Sequence, residues 1–176
     1  MLPKVVQSEA GYQGRNFTVR ADQVEIEPGV VVKLDIVEHA DSVVMVPLDD
    51  KQHIWFERQY RHAVGKVLLE LPAGTLNAGE APLAAANREL QEEIGMRAEH
   101  LDELAAFYLA PGYSSEFMHA YLARGLSPSA LTPDEDERIT VEKVPVSNVL
   151  SLIETGQVQD VKSLAALLLA ARRFDW

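Results

Sequence analysis

A chain of 176 residues, 47% hydrophobic and 24% charged, can bury one sizeable core and has neither the low hydrophobicity of a disordered protein nor the repeats of a fibrous one. Acidic residues outnumber basic ones by 27 to 16, and the formal net charge of −11 opposes nucleic-acid binding, which needs a basic stripe to neutralise phosphates. With no cysteine, disulfides, thiolate metal sites and a cysteine nucleophile are excluded.

The opening segment, MLPKVVQSEAGYQG, lacks the apolar core of a signal peptide. The longest apolar run, residues 164–171, is too short to span a bilayer, so the expected location is the cytoplasm, without a membrane partner. Residues 16–26 and 30–39 read as two strands around a turn at Pro28-Gly29, and residues 42–48 and 53–60 as a second pair. Residues 67–71 form a short strand ending at Pro72-Ala73-Gly74, where the backbone must turn. Residues 81–94 give the clearest helix: Pro82 stands in its first turn, Gly95 stops it, and Leu83, Ala86, Leu90 and Ile94 make an apolar stripe. Strands follow at 104–109 and 117–122, then an acidic loop at 133–137, a strand at 139–144, and helices at 146–154 and 160–172. Strands and helices mix without strict alternation, which predicts an α+β fold, a mixed sheet sandwiched between helices. Residues 1–40 form a small N-terminal antiparallel strand region and residues 41–176 the main domain.

The chemistry concentrates in residues 74–96, GTLNAGEAPLAAANRELQEEIGM. Glu89, Glu92 and Glu93 lie at i, i+3 and i+4, so one helical face carries all three carboxylates, opposite the apolar stripe. Such a face is either simply solvated or a set of hard oxygen ligands for Mg²⁺ or Mn²⁺. The five histidines show no metal-ligand spacing and read as ordinary surface or core residues. The acidic run TPDEDERITV reads by itself as a solvated loop.

The segment resembles the Nudix box, Gly-x5-Glu-x7-Arg-Glu-U-x-Glu-Glu-x-Gly-U with U aliphatic, through Gly74, Glu80, Arg88, Glu89, Leu90, Glu92, Glu93, Gly95 and Met96. The resemblance implies a Nudix-type α/β/α sandwich and a metal site formed by Glu89, Glu92, Glu93 and the carbonyl of Ala73. It also implies that a Glu80–Arg88 pair pins the loop to the helix. Beyond the box, IVEH at 36–39, ERQYRHAVGK at 57–66, ELPAG at 70–74, APGYSSE at 110–116 and DVKSLAALLLA at 160–170 resemble the ADP-ribose pyrophosphatase branch, as does Pro111, sixteen residues after Gly95. That branch implies Mg²⁺-dependent cleavage of ADP-ribose to AMP and ribose 5-phosphate. Glu135 would be the general base, with Glu92 and Glu93 also catalytic, and Glu137 a further metal contact. Arg58 would meet the diphosphate, and Gly112 and Glu116 the terminal ribose. Arg15 and Asp35 would help hold the adenosine half, across a homodimer interface made by the N-terminal strands. Lys33-Leu34 and Ala40-Asp41 depart from that branch, at positions that bear on the nucleobase. The alternatives are another nucleoside diphosphate sugar or a dinucleoside polyphosphate as substrate, a non-catalytic nucleotide-sensing Nudix module, and an acidic scaffold.

Overall fold

The computed structural model describes residues 2–133 and 138–176. They divide into two compact units: residues up to Asp41 together with Tyr108–Phe117, and Ser42–Phe107 with Met118–Trp176.

The first unit is built on an antiparallel meander of β1 (Lys4–Gln13), β2 (Phe17–Glu27) and β3 (Val30–His39), in the order β1-β2-β3. The β2–β3 turn closes at Gly29, whose φ of +79° suits a residue without a side chain. β1 is not foreseen from the sequence: KVVQSEAGYQ has no sustained alternation, every residue in it is exposed, and its pairing with β2 slips twice. Main-chain pairing substitutes there for the hydrophobic pattern that normally marks a strand. The late segment is tied to β3 by Val37 N–H donating to the Tyr113 carbonyl and Ser115 N–H to the Val37 carbonyl.

The rest of the chain runs β4 (Ser42–Pro47), β5 (His53–Arg61), a 3₁₀ turn at His62–Val64, β6 (Lys66–Glu70), β7 (Ala73–Thr75), α1 (Pro82–Glu93), β8 (Met96–Tyr108), β9 (Phe117–Pro128), β10 (Ile139–Pro145), α2 (Val146–Glu154) and α3 (Val161–Phe174). One sheet has the order β7-β4-β9-β8 and is mixed, β4 being antiparallel to β7 and parallel to β9; the other, β10-β5-β6, is antiparallel. The α+β class, with its mixed sheet and extra N-terminal strands, is as the sequence implies. Ala73–Gly74 does not only turn: it adds the short edge strand β7 to β4.

All six residues of β4 are buried, as in a strand covered on both faces. Val43 and Met45 meet Ala85, Ala86 and Leu90 of α1, with Ile94, Tyr121 and Ala123 completing that core. Each large side chain fully buried there contributes about 2 kcal/mol of transfer free energy. α3 also packs against β4. Its first turn is capped by Asp160, whose carboxylate accepts the Ser163 N–H.

α1 has Pro82 at its start and is followed by Gly95 at φ +68°, the boundaries the sequence suggests. Its buried face is different from the expected stripe. Leu83 is exposed, whereas Ala85, Ala86, Glu89, Leu90 and Glu93 are buried. At i, i+1, i+4, i+5 and i+8 these positions form one arc, with Glu93 near its middle. Two of the three carboxylates therefore lie on the covered face of the helix and not opposite it; packing, and not hydrophobicity alone, sets that face.

Candidate active site

Arg88 organises the loop before α1. Its Nε and Nη2 donate to the two carboxylate oxygens of Glu80 at 3.0 and 2.9 Å, and Nη2 also donates to the Thr75 carbonyl at 3.1 Å. Nη1 donates to Glu89 at 2.6 Å and Glu92 at 2.8 Å. The guanidinium's fixed fork of donors suits this fivefold engagement. Glu80 turns back to accept the Asn77 N–H, and its hydrogen bond from Arg88 holds its carboxyl below the ordinary value. The same pairing raises Arg88, with Glu89 and Glu92 adding to it, so its charge is permanent. The loop-to-helix pin is thus present.

Gly74 is required by close approach. A Cβ at this position would fall 2.0 Å from the carboxyl carbon of Glu89, so only glycine lets that carboxylate lie against β7. Glu93, 6% exposed, accepts the Ala73 N–H at 2.9 Å. At Ala73 the interaction seen is thus made by the N–H, where the resemblance had pointed to the carbonyl.

A second set of polar groups comes from β5. Alternation along the strand puts Glu57, Gln59 and Arg61 on one face and Phe56, Arg58 and Tyr60 on the other. Glu57 and Gln59 are buried. Arg61 grips Glu70 of β6 with two hydrogen bonds, Nε to Oε1 at 3.0 Å and Nη2 to Oε2 at 2.8 Å, and Lys162 of α3 donates to the same carboxylate. Lys162 also donates to Asp160 at 2.9 Å, and Ser163 Oγ accepts the Leu71 N–H at 2.8 Å, so the start of α3 is locked to the ELPAG segment. Burial opposes charge on Glu70, but hydrogen bonding from Arg61 and the charge of Lys162 together hold its carboxyl below the ordinary range. Burial likewise opposes charge on Arg61, which is nevertheless raised by Glu70 and by the field of Glu57 and Glu93. Arg61 therefore lies within electrostatic reach of Glu93 on α1. Arg58, on the opposite face, is held by Glu142 of β10 at 2.6 Å.

Glu92 and Glu93 line an open cleft of about 380 Å³ with Pro133, Arg138, Ile139 and Thr140. Among the described residues no three His, Asp or Glu side chains converge closely enough to hold a metal ion. Even so, the donor set fits a hard divalent cation. Glu89 and Glu92 both reach one point, now the Arg88 Nη1, and Glu89 and Glu93 are buried carboxylates whose charge a cation would neutralise. Their burial removes the reading of these two as a solvated helix face.

The remaining sequence candidates stand in the first unit. The Gly14–Phe17 turn carries Arg15, and Phe17 pairs with His39, whose Nδ1 lies 4.0 Å from Glu116. Arg15 and Glu116 thus belong to one end of the meander. Asp35 lies further along β3, exposed, with Lys33 at 3.8 Å. Gly112 is in the loop that Val37 clamps. Glu135 and Glu137 lie outside the described residues. What the sequence reading missed is Arg61, Glu70, Lys162 and Arg138. The period-two polar pattern Glu57, Gln59, Arg61 was the available signal for the first of these.

A carboxylate-bearing helix behind a glycine turn, packed on a mixed sheet, defines a class, and the Nudix-domain profile matches residues 38–167. The chain belongs to the Nudix family. It is 34% identical to an ADP-ribose pyrophosphatase of Bacillus subtilis over 93% of this chain and 90% of that one. It is 36% identical to an ADP-ribose pyrophosphatase of Mycobacterium tuberculosis, over 94% and 81% of the two chains. Among solved structures, an ADP compounds hydrolase superposes with a TM-score of 0.90 at 28% identity, covering 99% of this chain and 95% of that one.

Proposed function

We propose that this Nudix enzyme is a Mg²⁺-dependent pyrophosphohydrolase that cleaves ADP-ribose to AMP and ribose 5-phosphate. The observation that carries the reading is the buried pair Glu89 and Glu93, held against the Ala73–Gly74 backbone at the end of a helix. Similarity to two ADP-ribose pyrophosphatases over most of the chain supports the substrate. Glu89, Glu92 and Glu93, with the Ala73 carbonyl and Glu137, would hold Mg²⁺, with Mn²⁺ as a substitute. Bound there, a divalent cation supplies charge neutralisation for the phosphate oxygens and a lowered pKa for water.

The chain's own part is to bind and orient. Arg61 and Arg138 offer positive charge beside the acids, and a diphosphate needs such cations to approach a carboxylate cluster. Arg58, released from Glu142, is the third candidate for the diphosphate. Glu135 is proposed as the base that takes the proton of the attacking water. Arg15, Asp35, Gly112 and Glu116 are proposed to hold the adenosine and ribose ends.

The enzyme is further proposed to be a homodimer through the β1–β3 meander. That small sheet leaves Val5, Tyr12, Phe17, Val31 and Leu34 exposed, apolar surface that a second copy would cover.

A substrate panel tests the reading. With Mg²⁺, ADP-ribose should outpace GDP-mannose and diadenosine polyphosphates in kcat/KM, giving AMP and ribose 5-phosphate in equal amounts. Faster turnover of either rival would reassign the substrate while keeping the chemistry.

A further inference from the structure

The cleft beside α1 has two unlike sides. Glu92 and Glu93 bring carboxylates to it, whereas Arg138, Ile139 and Thr140, around the start of β10, border it without an acid. Thr140 is exposed, and no group among the described residues engages its hydroxyl. Arg138 lines the cleft two residues before it, and Arg58 stands directly opposite it across the β10–β5 ladder, turned to Glu142. An accessible hydroxyl thus stands among cationic neighbours on the wall that carries no carboxylate.

A diphosphate fits this division. Its oxygens are acceptors only: some must point to the cation that Glu92 and Glu93 would share, and others point away from it. An oxygen turned away from the metal needs a donor, because leaving it unpaired once water is gone weakens binding. A carboxylate cannot supply one, and a threonine hydroxyl can. Arg138 offers charge on the same wall, but at the end of a long side chain. Thr140 is β-branched and stiff at χ1, so the strand itself sets where its Oγ1 lies.

We propose that Thr140 is a diphosphate contact: its Oγ1–H donates to a phosphate oxygen of the bound substrate, on the side of the cleft away from Glu92 and Glu93. The proposal rests on the phosphoanhydride hydrolysis inferred above. It does not depend on adenosine, since every nucleoside diphosphate derivative carries the same group. The hydroxyl takes no proton from water and forms no bond to phosphorus. It holds bound substrate and transition state alike, so its effect falls on KM and leaves kcat nearly unchanged.

The test compares the wild type with Thr140→Val and Thr140→Ser at saturating Mg²⁺. ADP-ribose is the substrate and inorganic pyrophosphate the competitive inhibitor, alongside melting and calorimetric Mn²⁺ binding without substrate. Valine keeps the branched shape and loses the hydroxyl. It should raise KM and the inhibition constant of pyrophosphate about tenfold each, with kcat and Mn²⁺ affinity within about threefold and melting unchanged. Serine keeps the hydroxyl and should stay within about threefold of the wild type throughout. A wild-type KM in Thr140→Val would overturn the proposal. So would a raised KM with an unchanged pyrophosphate constant, because the hydroxyl would then meet the nucleoside or the sugar. A loss confined to kcat, or one that comes with a clearly lower melting temperature, would overturn it as well. If the valine variant fails to fold, Thr140→Ala, which also lacks the hydroxyl, takes its place under the same readings. A wild type that hydrolyses no nucleoside diphosphate would overturn the reading of the site itself, and this proposal with it, a result distinct from any of the above.

Discussion

Glu70 is a carboxylate in the protein interior, 1% exposed, kept ionised by Arg61 and Lys162. Removing one partner of such a buried set leaves the others uncompensated, so Glu70→Gln should cost about 3 kcal/mol at neutral pH. The sign with pH follows from the direction of its shift. Its folded pKa is depressed, so the stability it contributes is complete above the unfolded value of 4.5 and fades as pH falls through the lower folded value. Denaturant titrations of both proteins should therefore show a gap at pH 7 that closes in acid; a gap independent of pH would mean that the loss is one of packing. Gly74 gives a second residue-scale expectation. Gly74→Ala would push the new methyl into the Glu89 carboxylate, and should lower kcat by about a hundredfold while the fold survives. Normal activity in that variant would show that Glu89 need not lie against β7. At this scale the sequence was explicit about the box, because its nine positions are fixed by spacing within one loop and helix. It was silent about Glu70 and Lys162, which lie 92 residues apart and meet only through tertiary packing.

Among the elements, α1 shows how spacing succeeds and hydrophobicity misleads. Its ends were legible from Pro82 and Gly95, and its acids from their i, i+3, i+4 spacing. Its buried arc was not, because Glu89 and Glu93 occupy positions that an apolar count assigns to solvent, while Leu83 is exposed. β5 carries the same lesson in strand form. A run such as Glu57-Arg58-Gln59-Tyr60-Arg61 looks like an exposed edge, yet β5 is the central strand of β10-β5-β6 and buries two of those polar residues. β1, with no apolar pattern, was invisible before its pairing with β2 was known. The loop between β7 and α1 depends on one guanidinium, which gives an element-scale expectation. Arg88→Lys keeps the charge but cannot hold Glu80, the Thr75 carbonyl, Glu89 and Glu92 together. Amide hydrogens of residues 77–80 should then exchange about tenfold faster, with the sheets unaffected. Unchanged exchange there would mean that the loop is held by its own turns.

For the molecule as a whole, a formal charge of −11 leaves an excess of acidic groups, the opposite of the basic stripe that a nucleic-acid backbone requires. Among the described residues no helix is long and apolar enough to cross a membrane. The homodimer is the whole-molecule expectation: light scattering at micromolar concentration should give the mass of two chains, and a clean 19.5 kDa would contradict it. Glu93, buried at the end of α1, is proposed to hold the divalent cation that hydrolysis of ADP-ribose requires. The most direct measurement follows AMP release from ADP-ribose by the wild type and by Glu93→Gln, each with saturating Mg²⁺ and with EDTA. EDTA should abolish wild-type turnover and added Mg²⁺ restore it. Glu93→Gln should lose kcat by about a hundredfold or more, roughly 3 kcal/mol of transition-state stabilisation, while melting no lower than the wild type without metal. Full turnover in EDTA, or a Glu93→Gln variant that keeps most of the wild-type rate, would contradict that assignment.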